Sequence, residues 1–299
     1  MMMNCLVTGG AGFIGSHVVD LLVSQGHQVT IIDNLLTGDT KNLNPRASLI
    51  KADMRDLGQI KPHFKNIDFV FHLAALPRIQ PSFDDPVEHE EVNVIGTINC
   101  LLAAKGNNIK KLVYSSSAAC YGSPEELPTS ENAKISCLSP YALQKYAGEQ
   151  YCMILGERYG IPTIALRYFN AYGPRSFSDK NPQNAYTSVI GIFKRKKDNG
   201  EPLLITGDGE QTRDFVHVHD IARANYAAAT SDKVYEIYNV GCGESYSINH
   251  IAKLFKAPYE HIPERQGEAR TTISNIDKIR RDLNWSPSIN LEKGLSLLD

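Results

Sequence analysis

The chain has 299 residues, a net charge of −2 and a pI near 6.5. This length can bury one large α/β unit or two associated lobes, and two lobes are expected. The charge balance excludes bulk attraction to nucleic acid or an anionic membrane, and every apolar run is shorter than the ~18 residues of a membrane span.

The first apolar run, 4–8, leads into Thr8-Gly9-Gly10-Ala11-Gly12-Phe13-Ile14-Gly15, which satisfies G-x-G-x-x-G from Gly10 and G-x-x-G-x-x-G from Gly9. A strand that ends in such a loop and opens a helix supplies a tight turn, close backbone approach to a diphosphate, and a helix N-terminus facing the anion. Run 28–33 ends on Asp33, at the spacing of a carboxylate that binds the ribose of a dinucleotide. Its charge would repel a 2'-phosphate, so NAD is expected over NADP. Run 47–53 ends on Asp53, which could accept from an adenine amino group or be an ordinary strand-end aspartate.

Further strands are expected at 68–75, 111–116 and 163–169, and long helices at 87–104 and 140–159. Runs this continuously apolar belong in a parallel sheet covered on both faces, so the expected fold is a Rossmann-like, doubly wound α/β sheet. After residue 169 a loop rich in Gly, Pro and Asn runs to 184, followed by a helix at 185–197 and a strand at 203–205. The run Lys194-Arg195-Lys196-Lys197 reads as the solvated last turn of that helix. A helix at 218–230 and a strand at 235–240 could rejoin the sheet. The expected division is an NAD-binding domain at 1–170, rejoined by 214–242, with a smaller C-terminal α/β substrate-binding lobe from 171–213 and 243–299.

Tyr141-Ala-Leu-Gln-Lys145 follows Ser139-Pro140, a serine cap and first-turn proline that start a helix and put Tyr141 and Lys145 on one face. A phenol titrates near pH 10, so it serves as a base at neutral pH only if a cation favours the phenolate, and Lys145 is expected to do so. The serine triplet Ser115-Ser116-Ser117 could supply a hydroxyl partner.

Six cysteines, Cys5, Cys100, Cys120, Cys137, Cys152 and Cys242, are scattered without Cys-x-x-Cys spacing and read as free thiols of a reducing compartment. His217-x-His219 is the one close histidine pair, and without a further ligand cluster no metal site is expected. With no charged leader or cleavage site at the N-terminus, a cytoplasmic protein is expected.

Taken in order, TGGAGFIGSH, DNLLTG, HLAALPR, SSSAACYG, YALQK, RYFNAYGPR, GDGEQTRDF and RQGEAR resemble the extended short-chain dehydrogenase/reductase family, in its nucleotide-sugar epimerase branch. The resemblance implies that Gly9, Gly12, Phe13, Ile14, Asp33, Asn34, Thr37, Gly38, Asp53, Met54, Leu73, Ala74, Ala75, Asn93, Ser115, Tyr141, Lys145 and Tyr168 contact NAD. It makes Ser117, Tyr141 and Lys145 catalytic, and assigns Ser117, Asn170, Arg213, Arg265, Glu268 and Thr272 to the substrate.

Ala118 and Ala119 stand where the related dehydratases carry acids, and methyl groups cannot transfer protons. The implied reaction is therefore reversible epimerisation at C4 of a UDP-hexose. A keto-sugar reductase, an epimerase acting at another carbon and a non-catalytic NAD sensor stay open. Thr272 lies where family members vary the bulk beside the sugar's C2 substituent, so UDP-GlcNAc/UDP-GalNAc could be accepted along with UDP-Glc/UDP-Gal. Asn275 and Pro77-Arg78 depart from the usual pattern. The resemblance also implies a homodimer through the helices 87–104 and 140–159, with Val92, Ile95, Leu102, Cys152 and Leu155 on the apolar side away from the sheet.

Overall fold

The computed structural model describes residues 1–177, 188–264 and 269–298. In chain order its strands are β1 (Asn4–Thr8), β2 (Gln28–Asp33), β3 (Ser48–Lys51), β4 (Phe69–His72), β5 (Lys111–Ser117), β6 (Thr163–Tyr168), β7 (Asn170–Tyr172), β8 (Leu203–Thr206), β9 (Thr212–Arg213), β10 (Phe215–His217), β11 (Glu236–Val240), β12 (Tyr246–Ser247) and β13 (Tyr259–Ile262). Seven form one parallel sheet in the order β11-β6-β5-β4-β1-β2-β3.

Successive side chains of a strand point to opposite faces, and this accounts for the unbroken apolar runs. Val7, Ile31, Phe71, Val113 and Leu166 pack on one face against the helices Phe13–Ser24 and Val218–Thr230. Their neighbours Leu6, Ile32, Val70, Leu112 and Ala165 pack on the other, against Gly96–Ala104 and Pro140–Tyr159. The chain winds outward from β1 to β3, then returns to β4 on the other side of β1, so the crevice beyond the carboxyl ends of β1 and β4 is the switch point where such sheets bind ligands.

Helix Pro140–Tyr159 begins and ends as its sequence requires: the Ser139 hydroxyl accepts from Ala142 N at 3.2 Å, Pro140 sits in the first turn, and Gly160 closes it at φ 66°. The helix expected over 87–104 instead carries a π-helical segment, Glu91–Ile95, between Pro86–Glu90 and Gly96–Ala104. β11 rejoins the sheet beside β6. A separate core of Tyr172, Phe193, Leu203, Ile205, Phe215 and Ile251 lies under the last third of the chain. There β8 pairs with β13, β9 with β12 and β7 with β10. The helix expected from 185 is described as Val189–Asp198. Among the described residues no helix is long and apolar enough to cross a membrane.

Candidate active site

A cavity of about 500 Å³ runs over the carboxyl ends of the strands, from the glycine loop to Arg213 and Thr272. At its floor the loop leaves no room for side chains. A Cβ on Gly15 would stand 2.1 Å from Gly9 O, and one on Gly9, whose φ is +72°, would stand 2.7 Å from Ala74 N. Gly12 opens the helix Phe13–Ser24 with no side chain capping it, and Gly12, Phe13 and Ile14 all line the cavity. An uncapped first turn presenting backbone N–H groups attracts an anion. Asp33, at the end of β2, is held by Ala11 N at 3.0 Å and Leu35 N at 2.8 Å. This donor set, an anion-binding turn followed by an oriented carboxylate, fits the diphosphate and ribose of a dinucleotide.

Asn34, Thr37, Asp53, Met54, Leu73, Ala74 and Ala75 also line the cavity. Asp53 is already engaged by Arg55 at 2.9 Å and Asn34 at 2.9 Å, and its carboxyl is lowered to about 2, chiefly by the Arg55 hydrogen bond. Two expected cofactor contacts sit behind the wall. Gly38 is packed so closely on Asp33 that a Cβ would come within 2.9 Å of its carboxylate. The Asn93 amide, in the π segment, accepts from Leu76 N at 2.8 Å and donates to Leu76 O and Gln144 Oε1, both at 3.1 Å. Its effect on a ligand passes through the 73–76 loop.

That loop rests on a buried chain of hydrogen bonds that sequence patterns do not reveal. His72 Nδ1 lies 2.7 Å from Thr8 Oγ1, its Nε2 lies 3.0 Å from Thr97 Oγ1, and the Thr97 hydroxyl donates to Asn93 O at 2.7 Å. Since Thr97 spends its proton on Asn93, His72 donates from Nε2 and accepts at Nδ1. Burial lowers His72 to about 3, and the ring is neutral at neutral pH.

Ser115, Ser117, Tyr141, Lys145 and Tyr168 meet on the cavity wall where β5 and β6 end. Ser117 is hydrogen-bonded to the Tyr141 side chain. Burial raises Tyr141 to about 12, a shift that the Ser117 hydrogen bond opposes and Cys120 reinforces. Lys145 is not among these influences, so the expected lowering of Tyr141 by its ammonium is absent from the chain alone. The amine instead stands over the Tyr114 ring, 4.5 Å from its centroid. Burial lowers Lys145 to about 8, a shift that Cys152 and then Glu149 oppose. The two side chains line the same cavity, and desolvation is the first influence on each.

On the far side, Asn170 Nδ2 donates to Asp214 O at 3.0 Å and to Thr272 Oγ1 at 3.3 Å, and Asp214 N reaches the same hydroxyl at 3.3 Å. Asp214 is buried and accepts from Cys242 N, Gly243 N, Ser274 N and Ser274 Oγ, pinning the segment that carries Thr272. Asn170, Arg213 and Thr272 line the cavity, whereas Arg265 and Glu268 lie outside the described residues. The wall also includes Lys196, Thr206, Gln211 and Arg175, none of them assigned to the site individually, although Arg175 and Gln211 lie within RYFNAYGPR and GDGEQTRDF. The basic run closes its helix as expected, yet Lys196 is part of the site, and amphipathic spacing within the run is the one clue that could have separated it. Cys152, expected on the outer face of its helix, is fully buried against the sheet, because it falls one turn beyond the sheet-facing Gly148. Among the described residues no group of three His, Cys, Asp or Glu could hold a metal ion.

Residues 5–241 match the NAD dependent epimerase/dehydratase family, and the chain belongs to that family. A protein of Methanocaldococcus jannaschii is 41% identical over 298 residues, covering 97% of this chain and 95% of its own. The crystal structure of UDP-glucose 4-epimerase with UDP-glucose from Thermotoga maritima superposes with a TM-score of 0.93 at 36% identity, covering 99% of this chain and 97% of that one. UDP-N-acetylglucosamine 4-epimerase from Methanobrevibacter ruminantium, in complex with UDP-N-acetylmuramic acid, gives 0.91 at 37% identity, covering 99% and 98%.

Proposed function

We propose that this member of the NAD dependent epimerase/dehydratase family interconverts the C4 epimers of a UDP-hexose, UDP-Glc/UDP-Gal and also UDP-GlcNAc/UDP-GalNAc. It is an NAD-dependent UDP-sugar 4-epimerase. The observation that carries this reading is one continuous cavity that joins the glycine loop and Asp33 to Ser117, Tyr141 and Lys145, and continues to Asn170, Arg213 and Thr272.

Bound NAD supplies a reversible hydride acceptor for C4. Tyr141 takes the 4-hydroxyl proton and returns it, with Ser117 bridging sugar and phenol and Lys145 providing the fixed positive charge of the pocket. Burial raises Tyr141, so its deprotonation is favoured by positive charge at the wall, from Lys145 and from the nicotinamide that NAD would bring. Inversion requires the oxidised sugar to turn over between removal and return of that proton, so the chain must grip the substrate elsewhere. Asn170, Arg213, Arg265 and Glu268 hold the nucleotide end, and arginine forks suit a diphosphate. The Thr272 hydroxyl is turned to Asn170 and Asp214, and its small side chain leaves space for an N-acetyl group. Asn93 and Gly38 position the cofactor loops, and Gly9, Gly12, Phe13, Ile14, Asp33, Asn34, Thr37, Asp53, Met54, Leu73, Ala74, Ala75, Ser115, Tyr141, Lys145 and Tyr168 contact NAD.

Incubating the purified protein with a panel of UDP-sugars and following products by NMR tests this. C4 epimers should form without added reductant. A requirement for NADH, inversion at another carbon, or NAD binding with no conversion would each replace the proposal with a rival.

We further propose a cytoplasmic homodimer built on the helical stretch 86–104, its π segment Glu91–Ile95 included, and on Pro140–Tyr159. Val87, Ile95, Leu143 and Ile154 are exposed there. Sedimentation of a single monomeric species would refute the dimer.

A further inference from the structure

Helical spacing places Tyr141, Lys145 and Glu149 in one row along Pro140–Tyr159, each about 6 Å further along the axis. Glu149 is fully buried, and Arg167 of β6 grips it with two hydrogen bonds, Nε to Oε2 at 2.8 Å and Nη2 to Oε1 at 2.7 Å. The pair holds the chain on both sides of Ser117. Ser116 Oγ donates to Glu149 Oε2 at 2.7 Å, and Arg167 Nη1 donates to the Tyr121 hydroxyl at 2.8 Å. Tyr121 in turn donates to Asn239 Oδ1 at 2.7 Å. The helix is pressed so closely on β5 that a Cβ on Gly148 would stand 2.3 Å from the Tyr114 hydroxyl, leaving the row little freedom to move.

We infer that Glu149 and Arg167 form a positioning pair for the proposed reaction, in which Glu149 keeps Lys145 an ammonium and, through Ser116, sets the end of β5 from which Ser117 meets Tyr141. The inference rests on the epimerase reading only for its kinetic consequences. The titratable groups set against the Lys145 amine are Cys152 and Glu149 from its own helix, Tyr114 from β5 and His72 from β4, with Cys100 beside Cys152. Burial pushes Cys152, Tyr114 and Cys100 up and His72 down, which leaves all four neutral. Glu149 is the one carboxyl group of the set, and the Arg167 guanidinium behind it grips both its oxygens.

Removing one member of the pair therefore changes the field at Lys145 with a defined sign. Glu149→Gln keeps the shape and deletes the negative charge. Arg167→Met deletes the positive one and leaves Glu149 to attract Lys145 alone. The test follows the Lys145 Nζ by NMR of ¹⁵N-lysine-labelled protein across pH, alongside kcat and KM. Glu149→Gln should lower the Lys145 midpoint by about one pH unit, and Arg167→Met should raise it by a similar amount. The alkaline limb of kcat/KM should move with each.

Ser116→Ala, which keeps both charges, should leave the midpoint in place and reduce kcat several-fold with KM unchanged. If Arg167→Met does not fold, Glu149→Gln and Ser116→Ala decide the question. A Lys145 midpoint unmoved in Glu149→Gln, shifts of the same sign in both charge variants, or full kcat in Ser116→Ala would overturn the inference. A wild-type protein that converts no UDP-sugar, while Lys145 still shifts as stated, would instead overturn the epimerase reading.

Discussion

Gly15→Ala is the sharpest test of how the glycine loop is built. The added methyl carbon would lie 2.1 Å from Gly9 O, 2.8 Å from Gly9 C and 3.0 Å from Gly10 Cα, all backbone atoms without a rotamer to change. An ordinary C···O contact needs about 3.3 Å, so the helix and the loop must separate by about 1 Å. Gly9 cannot give way freely. Its N–H is bonded to Ile32 O at 2.8 Å, its carbonyl accepts from Gly12 N at 3.1 Å, and its own Cα faces Ala74 across a gap too narrow for a side chain. Forcing an extra carbon into such packing costs roughly 1–3 kcal/mol of stability. A displacement of about 1 Å at an anion-binding turn weakens its function on the order of 100-fold.

Thermal unfolding with and without NAD, together with calorimetric titration, should show a lowered Tm and NAD affinity reduced by at least about tenfold. Gly26→Asn is the control: Gly26 has open space around it and a φ of +81° that asparagine tolerates, so NAD affinity should stay at the wild-type value. Wild-type NAD affinity in Gly15→Ala would refute the argument that helix-to-loop contact at this residue sets the anion site.

Tyr141→Phe keeps the ring and removes the hydroxyl bonded to Ser117, so kcat should fall by about 10²–10⁴ with NAD affinity and Tm near wild type, and near-normal turnover would exclude Tyr141 as the proton carrier. Burial depresses His72 to about 3, so the folded chain resists a proton that the unfolded chain accepts below about pH 6.5. Its contribution to stability is complete above that pH and is lost on acidification from 6.5 towards 3, at about 1.4 kcal/mol per pH unit. Urea unfolding of wild type and His72→Gln across pH 7 to 4 should show the slope reduced in the variant, and equal slopes would contradict the assignment. Thr272→Trp should depress kcat/KM for the UDP-GlcNAc/UDP-GalNAc pair at least about tenfold more than for the UDP-Glc/UDP-Gal pair. An unchanged ratio would remove Thr272 from the C2 pocket.

What could be read before any coordinates were known divides along a physical line. Local rules placed Ser139, Pro140 and Tyr141 at a helix start, Gly9 to Gly15 in an anion turn and Asp33 at a strand end, because capping, helical spacing and glycine sterics operate within a few residues. Alternating burial explains why β1, β4 and β5 read as continuous apolar runs: Leu6 and Val7, or Val70 and Phe71, serve opposite faces of one sheet. Pairing of short strands such as β9 with β12 follows instead from the closing of the chain's last third around Phe193 and Phe255, and two-residue strands carry no period. Charge did not tell Lys196 from its neighbours in the basic run, because charge says nothing about which side of a helix meets a cavity; only the amphipathic spacing of the helix carried that information.

The same limit governs the acid–base chemistry. Spacing put Tyr141 and Lys145 four residues apart on one helix, yet burial, a property of the whole fold, is the first influence on both, raising the phenol and lowering the amine. Glu149 continues that row by the same spacing, but its meaning depends on Arg167, which reaches it from a strand 18 positions away in sequence. A buried carboxylate with one free neighbour would be a liability; gripped by a guanidinium and a serine, it becomes a fixed charge behind the reacting groups.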